Sequence, residues 1–362
     1  MMRRALDLAA LSLGETSPNP VVGCVVARGG RVVGEGHHAR AGGPHAEVLA
    51  LREAGARARG ATLYVTLEPC AHEGRTPPCA PLVREAGVAR VVAALRDPNP
   101  AVAGRGLALL RRAGVAVETG LLAAQAERLN ERFLHAMRRG RPFVLLKVAL
   151  TLDGRIATAS GRSRWITSPE QRRQARWLRR LHDAVLVGIA TALLDDPALL
   201  PAPRTRRPVL RVVLDSALRL PPSSRLARTA SARAPVLVVS CRADASRRRA
   251  LEARGVEVLE VAAENGRVSV PAAVEALARR GATSLMVEGG GEVLGSFLAA
   301  RLVEQVALFR APLILGGRGS RPAFGGEDKA DVGDALRLEP VPAEPAFPWP
   351  FAPRFELWRP RR

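Results

Sequence analysis

The run Thr62-Leu63-Tyr64-Val65-Thr66-Leu67-Glu68-Pro69-Cys70, preceded by His45-Ala46-Glu47-Val48-Leu49-Ala50-Leu51-Arg52-Glu53-Ala54, carries the pattern from which the fold is read. The earlier segment has helical periodicity over about 45–54. The later one is a β-rich run over 62–67 that stops at a proline and a cysteine. The same alternation recurs outward, with strand-like runs at 21–27 and 90–94 and helical patterns at about 78–87, 104–113 and 122–138. It predicts a layered α/β domain whose sheet is at least partly parallel. The charged, helix-breaking stretch Arg138-Arg139-Gly140-Arg141-Pro142 reads as a linker, giving domains 1–140 and 141–362. A second series follows, with strands near 143–149, 184–188, 209–214, 235–240, 256–261, 283–288 and 303–309. Helices near 169–181, 245–254, 271–280 and 292–301 separate several of them, which predicts a second α/β domain with its own core. No internal repeat links the halves. The proline-rich stretch 339–353 is expected to be a loop before a last strand around 354–358.

A chain of 362 residues suits about two domains, and 47% apolar with 25% charged residues argues against wholesale disorder. No apolar run approaches the ~20 residues of a membrane span, and the opening Met-Met-Arg-Arg-Ala-Leu lacks the apolar stretch of a secretory leader, so a cytoplasmic location is expected. The net charge of +21 would suit nucleic acid or a phosphorylated ligand. Lys147 and Lys329 are the only lysines among 55 basic residues, a bias that looks like GC-rich coding. The excess is spread over both halves and aromatics are only 4%, too few for much base stacking. A small phosphorylated substrate is expected, with no nucleic acid and no membrane as partner.

Of the four cysteines, Cys24 and Cys241 end or interrupt apolar runs and read as small buried residues on strands. Cys70 and Cys79 instead flank a polar loop. With Pro44-His45-Ala46-Glu47 they supply one imidazole and two thiolates, the three ligands of a zinc that activates water. Glu47, two residues past His45 at the start of a helix, is placed to shuttle protons. The set matches the general signature of zinc deaminases, His-x-Glu with Pro-Cys-x-x-Cys, here with eight residues between the cysteines. The bland alternative makes His45 a core histidine and the cysteines buried thiols. His72 between the thiols competes as a ligand with a surface role. His37 and His38 either line the same cleft or are solvated, and His135 and His182 receive no role.

The sequence Glu-Pro-Cys-Ala-His-Glu-Gly-Arg-Thr-Pro-Pro-Cys, with Ser-Pro-Asn-Pro-Val-Val-Gly at 17–23 and Asp-Pro-Asn-Pro at 97–100, closely resembles the bifunctional deaminase/reductases of riboflavin biosynthesis. The resemblance continues through Lys147, Thr151-Leu152-Asp153-Gly154-Arg155, Trp165-Ile166-Thr167-Ser168, Asp195-Asp196-Pro197-Ala198-Leu199 and Val287-Glu288-Gly289-Gly290-Gly291. It implies an N-terminal cytidine-deaminase-like three-layer domain and a C-terminal domain similar to dihydrofolate reductase. The implied first reaction is zinc-dependent hydrolytic deamination of 2,5-diamino-6-(5-phosphoribosylamino)pyrimidin-4-one. His45, Cys70 and Cys79 would bind the metal, Glu47 would be catalytic and Asn19 would contact the substrate. The implied second reaction is reduction of the ribosyl chain to ribityl by NADPH. A homo-oligomer is also expected.

For the second half the resemblance places Lys147, Ser163, Arg179, Leu199 and Glu288 at the substrate. It places Ala149, Trp165, Thr191, Asp195 and Ser216 at the cofactor, with Gly290, Gly291, Glu292, Val293, Leu294, Gly295 and Ser296 around its diphosphate. From the residues themselves, the glycines after 284–287 open a helix where a phosphate is favoured, and Gly316-Gly317-Arg318-Gly319 is a weaker candidate of the same kind. Lys147 suggests a titratable amine, against the alternative of a solvent-facing lysine at a strand edge. Arg172, Arg176 and Arg179 form one basic helix face, either solvated or a phosphate anchor. Two departures stand out. The family commonly carries an arginine a few residues past Asp-Asp-Pro-Ala-Leu, where this chain has Leu200-Pro201-Ala202-Pro203-Arg204, and Ser17 stands where the family often has His or Asn. The first departure supports a single-activity alternative with an impaired reductase half. A deaminase-like nucleic-acid binder is the remaining alternative.

Overall fold

A computed structural model describes residues 1–71, 77–100, 102–342 and 347–361. The expectation for His72 lies outside the described residues. The chain forms two units, Met1–Gly140 with Pro342–Pro350, and Arg141–Val341 with Phe351–Arg362.

The first unit runs α1 (Met2–Ala10), β1 (Gly23–Arg28), β2 (Arg31–His37), α2 (Ala46–Ala54), β3 (Thr62–Val65), α3 (Cys79–Glu85), β4 (Arg90–Ala93), α4 (Arg105–Arg112), β5 (Ala116–Thr119) and α5 (Ala123–Arg139). Its sheet has the order β2-β1-β3-β4-β5. β1 is antiparallel to β2 and β3, while β3, β4 and β5 are parallel. Alternation of side chains along each strand builds a core on either face. Cys24, Val26, Leu63, Val65, Val91 and Ala93 pack against α2, α3 and α4. Val25 and Val92 face the other way, against α1 and α5. Three layers result.

Three elements of this unit are fainter in the sequence. α1 buries Met2, Ala5, Leu6 and Ala9, a helical spacing weakened as a signal because two of the four are alanine. β5 is short and mostly exposed. β2 is an edge strand rich in glycine and charge, and its glycines are needed for packing. A Cβ on Gly34 would lie 2.2 Å from the Ala50 carbonyl oxygen, and one on Gly36 would lie 2.6 Å from Leu49 Cβ. α2 therefore lies directly on the bare backbone of β2, which fixes where its first residues sit.

The second unit runs β6 (Phe143–Thr151), β7 (Arg155–Ala157), α6 (Pro169–Leu178), β8 (Ala184–Gly188), α7 (Ile189–Asp195), β9 (Leu210–Leu214), α8 (Arg225–Arg228), β10 (Val236–Ser240), α9 (Ala245–Glu252), β11 (Glu257–Glu260), β12 (Ala263–Glu264), β13 (Arg267–Val268), α10 (Val270–Arg279), β14 (Ser284–Val287), α11 (Gly291–Ala299), β15 (Gln305–Ala311), β16 (Arg321–Pro322), β17 (Leu338–Pro340) and β18 (Glu356–Pro360). The main sheet has the order β11-β10-β9-β8-β14-β6-β15-β18-β17. The first seven are parallel, and β18 and β17 close one edge antiparallel. α6 opens with a capping box between Ser168 and Gln171 behind Pro169, so its start is set by local chemistry.

Lys147 lies on β6 between β14 and β15, so the strand-edge alternative falls. Several expectations change here. The stretch 339–353 is not all loop: β17 pairs with β18, and Pro340 is tolerated because that strand is outermost. The last strand runs over 356–360, two residues later than expected. Cys241 lies one residue past β10 and is only half-buried, whereas Cys24 is fully buried on β1.

Gly36→Val is expected to destabilise the protein by about 1–3 kcal/mol, since overpacking must push α2 off β2. Zinc content should fall with it, because His45 caps α2. Urea unfolding and metal analysis of the purified variant check both.

Candidate active sites

In the first unit two helix N-termini and one loop converge. His45 is the N-cap of α2, Cys79 is the first residue of α3, and Cys70 follows β3. Their ligand atoms all lie within 4.8 Å of one another. His45 Nδ1 is 3.2 Å from Cys79 Sγ and 3.6 Å from Cys70 Sγ. Ligand bonds of about 2.0–2.3 Å at tetrahedral angles put such atoms about 3.6 Å apart, so this donor set fits zinc. The Cys79 amide donates to Cys70 Sγ at 3.3 Å, which fixes one thiol against the start of the other's helix.

The electrostatics of the trio suit a cation. A hydrogen bond from Cys79, seconded by His45, draws the Cys70 thiol down to about 4. The same bond and burial push the Cys79 thiol up, and the bond to Cys70 raises His45. These groups compete for protons that a dication would displace. Glu47, in the first turn of α2, is 4% exposed. Burial lifts its carboxyl to about 7, with the Cys70 charge adding and His45 opposing, so it can hold or release a proton near neutrality.

Two further residues shape this site, Glu68, which the sequence reading gave no role, and His38, for which it left cleft-lining and solvated alternatives open. Glu68 is buried, and its carboxylate accepts backbone N–H bonds from Asp97 (3.2 Å), Gly104 (3.0 Å), Gly106 (3.0 Å) and Leu107 (3.3 Å). It thereby ties the loop leading to Cys70 onto the start of α4. A Cβ on Gly106 would fall 1.8 Å from the Pro69 carbonyl oxygen, so glycine is required where that loop passes. His38 is the second, 3% exposed and edge-on to the His45 ring at 5.4 Å. Its Nδ1 lies 3.0 Å from the Pro44 carbonyl and its Nε2 lies 3.1 Å from Asn19 Nδ2. A carbonyl only accepts, so Nδ1 carries the proton and Nε2 accepts from the Asn19 amide. That leaves the Asn19 Oδ1 for another partner.

In the second unit a cavity of about 1420 Å³ opens over β6, β8, β9, β10 and β14, at the carboxyl ends of the last four, where ligands bind in open parallel sheets. It exceeds the ~300–1,000 Å³ of a usual single-ligand site and has room for two. The cavity lining includes Lys147, Ser163, Arg179, Leu199 and Glu288, and equally Ala149, Trp165, Thr191, Asp195, Ser216, Gly290, Gly291, Glu292, Val293, Leu294 and Ser296. Strand pairing sets Leu146 beside Val287, so Lys147 and Glu288 stand level on adjacent strands. Arg179 grips Glu288 bidentately, Nε to Oε1 at 2.5 Å and Nη2 to Oε2 at 2.9 Å, and its Nη1 donates to the Leu200 carbonyl at 3.0 Å. Burial would raise Glu288, but the Arg179 charge and hydrogen bonds, with Lys147 adding, hold it below the usual carboxylate range. Burial lowers the Lys147 amine, with Glu288 opposing. An amine so placed gives up its proton more readily than a surface lysine.

Other assigned residues form the wall. Ser163 Oγ is 3.3 Å from Asp195 Oδ1, and the Arg164 side chain also reaches Asp195. Trp165 is 67% exposed, with the guanidinium groups of Arg172 and Arg164 at 4.3 and 5.6 Å from its ring. Arg172, Arg176 and Arg179 all line the cavity, so this helix face is not merely solvated. Arg204 lines it too, and the Ala202 amide bonds the Arg176 carbonyl at 3.1 Å, which holds the divergent stretch against α6.

Two glycine stretches have packing duties of their own. A Cβ on Gly295 would meet the Gly325 carbonyl oxygen at 2.0 Å, so its smallness serves backbone packing beside the cavity-lining Gly325. The stretch Gly316-Gly317-Arg318-Gly319 is not among the cavity-lining residues. Its neighbouring amides, Leu315 and Gly316, already donate to Asp153 at 3.2 and 2.8 Å. The Thr151 hydroxyl and those amides lower Asp153 to about 2. Arg211 was not singled out in the sequence. It is fully buried on β9 and bonds the carbonyls of Ala198, Thr229 and Ala234, bracing the chain beside Leu199.

Residues 142–345 match the model of the RibD C-terminal domain, and residues 1–95 match that of the cytidine and deoxycytidylate deaminase zinc-binding region. The chain is 41% identical to the riboflavin biosynthesis protein RibD of Bacillus amyloliquefaciens over 93% of its own length and 91% of that protein. It is 44% identical to RibD of Escherichia coli K12, over 87% and 88%. Among solved structures, Acinetobacter baumannii RibD (form 2) superposes with a TM-score of 0.86 at 35% identity, covering 99% and 98% of the two chains. A Thermotoga maritima diaminohydroxyphosphoribosylaminopyrimidine deaminase/5-amino-6-(5-phosphoribosylamino)uracil reductase gives 0.84 at 35%, covering 99% and 97%.

Glu68→Ala should cost about 3 kcal/mol or more, because four backbone N–H groups, two of them buried, lose a charged acceptor at once. The exposed control Glu85→Ala should stay within about 0.5 kcal/mol. Urea unfolding measures both, and a chromophoric chelator should strip zinc faster from Glu68→Ala alone.

Proposed function

The chain belongs to the RibD family of riboflavin-biosynthesis proteins, bifunctional deaminase and reductase enzymes, and from that premise we propose how its residues divide the two reactions. It is a hydrolase with a zinc-binding deaminase domain and an oxidoreductase that uses NADPH. Neither the single-activity alternative nor the nucleic-acid-binding one is favoured, since both domain models match in one chain. The observation that carries the residue assignment is the convergence of His45, Cys70 and Cys79 within 4.8 Å beside buried Glu47.

In the first reaction His45, Cys70 and Cys79 would hold zinc, which would supply the Lewis acid that makes water nucleophilic near pH 7. Glu47 takes up the two protons of the attacking water in turn. It places the first on the ring nitrogen and the second on the departing amine, so ammonia leaves and oxygen replaces it. The Asn19 Oδ1, left unclaimed by the His38 contact, accepts a hydrogen bond from the pyrimidine or its ribose. In the second reaction NADPH supplies hydride. Lys147 gives its proton to the ribosyl ring oxygen as the sugar opens, and Glu288, held by Arg179, orients the hydroxyl groups of the open chain. Arg176 and Arg204 take the substrate phosphate.

The enzyme is further proposed to be cytoplasmic, where thiol ligands stay reduced, and no helix among the described residues is long and apolar enough to cross a membrane. It is proposed to act as a homo-oligomer. Support comes from exposed Leu152 (57%), Ile314 (75%), Leu313 and Leu315, brought together where the Leu152 amide bonds the Leu313 carbonyl.

Glu47→Gln should lower deamination by about 10²–10⁴-fold while zinc content and reduction of already deaminated substrate stay unchanged. Lys147→Met should do the reverse, sparing deamination. Either variant losing both activities, or neither, contradicts the division. Arg204→Ala should raise KM of the reductase reaction about tenfold with little change in kcat, read from initial rates at saturating NADPH.

A further inference from the structure

Two groups stand out among the arginines that line the second unit's cavity. One lies on α6 and the stretch after Leu200, with Arg176 and Arg204. The other lies past the ends of β9 and β10, with Arg219 and Arg242. Strand register sets these groups apart. Val287 pairs with Leu186, Gly188 with Leu214, and Leu214 with Val239, so the carboxyl ends of β14, β8, β9 and β10 stand nearly level. Three strand spacings of about 4.8 Å put the end of β10 roughly 14 Å from Glu288. A phosphate held by Arg176 and Arg204 leaves the second group unused.

We propose that Arg242, flanked by Arg219 and Ser216, binds the 2′-phosphate of NADPH and is the residue by which this enzyme discriminates against NADH. This rests on the reading that the cavity takes a pyridine dinucleotide. The Arg242 main chain is anchored, its amide donating to the Ser216 carbonyl at 3.0 Å and to Ser240 Oγ at 3.2 Å. Its Nη2 donates to the Gly266 carbonyl at 3.1 Å, which aims the guanidinium and leaves its other N–H groups for a ligand. Among the described residues no carboxylate pairs with Arg242, so its charge calls for an anion. Ser216 Oγ accepts from the Val268 amide at 3.1 Å, so its own proton is directed elsewhere. Arg219 leans on Asp215 through Nε at 3.4 Å, with the rest of its fork exposed.

The neighbouring Arg267 is different. It pairs with Glu292 in the first turn of α11 at 3.3 Å, which cancels its charge. That same contact joins the hairpin holding Ser216 to the helix start where the diphosphate is placed. One extended dinucleotide therefore runs from α11 across β8 and β9 to Arg242. A 2′-phosphate offers a guanidinium charged acceptors in matching geometry, and a 2′-hydroxyl does not.

The test is isothermal calorimetry on the zinc-loaded full chain with NADP⁺, NAD⁺, adenosine 2′,5′-bisphosphate and 5′-AMP. The wild type should bind the 2′-phosphorylated member of each pair about 10- to 100-fold more tightly. Arg242→Ala should erase most of that difference by weakening NADP⁺ and the bisphosphate alone, with NAD⁺ binding and deaminase turnover unchanged. Arg204→Ala should leave all four affinities unchanged. Equal weakening of NADP⁺ and NAD⁺ by Arg242→Ala, or no weakening, overturns the proposal. Wild type that binds both dinucleotides equally overturns it while leaving the cofactor reading intact. Binding of neither overturns both.

Discussion

Three ligand atoms from two helix ends and a loop must meet within 4.8 Å, and much of the first unit is arranged to permit it. α2 can bring His45 and Glu47 to that point only because Gly34 and Gly36 let it lie on bare strand backbone. The loop bearing Cys70 is held by a different device. Its Glu68 carboxylate occupies four backbone donors around the start of α4, and Gly106 gives Pro69 room to pass. The same burial that keeps this cluster rigid also raises Glu47 toward neutrality, so packing and acid–base chemistry have one cause.

The second unit solves a different problem, that of holding two ligands in one cavity. Parallel strands ending at nearly one level create a shelf, and loops after each strand supply the polar groups. Near its middle Lys147, Glu288 and Arg179 form a half-buried set in which the Arg179 charge lowers Glu288 and the Glu288 charge opposes the lowering of Lys147. Arg179 spends its fork on Glu288 and Leu200, which leaves Arg176 and Arg204 as the proposed phosphate ligands. Buried Arg211 braces the wall through backbone carbonyls, with no carboxylate paired to it among the described residues.

The cluster of His45, Cys70 and Cys79 beside Glu47 was legible in the sequence because metal chemistry restricts residue type and spacing together. Most helices and strands were legible for a similar reason, since periodicity survives in the sequence without knowledge of partners. Glu68 was not, because its four partners lie about 30–40 residues away and are backbone groups that any residue supplies. The glycines near α11 were legible only in part. Their type was visible, but Gly295 is small to admit the Gly325 backbone, and a glycine in sequence does not say what approaches it. Lys147 could not be placed inside the sheet or at its edge until strand order was known, and strand order is a long-range property.

The account claims that one chain carries two sites acting in sequence on one small phosphorylated pyrimidine. Mass spectrometry of the diaminopyrimidinone ribotide, incubated with pure zinc-loaded protein with and without NADPH, tests that claim most directly. The expected result is replacement of an amino group by oxygen in both samples, followed by gain of two hydrogens only where NADPH is present. Deamination without reduction, or no change of mass in either sample, would contradict it.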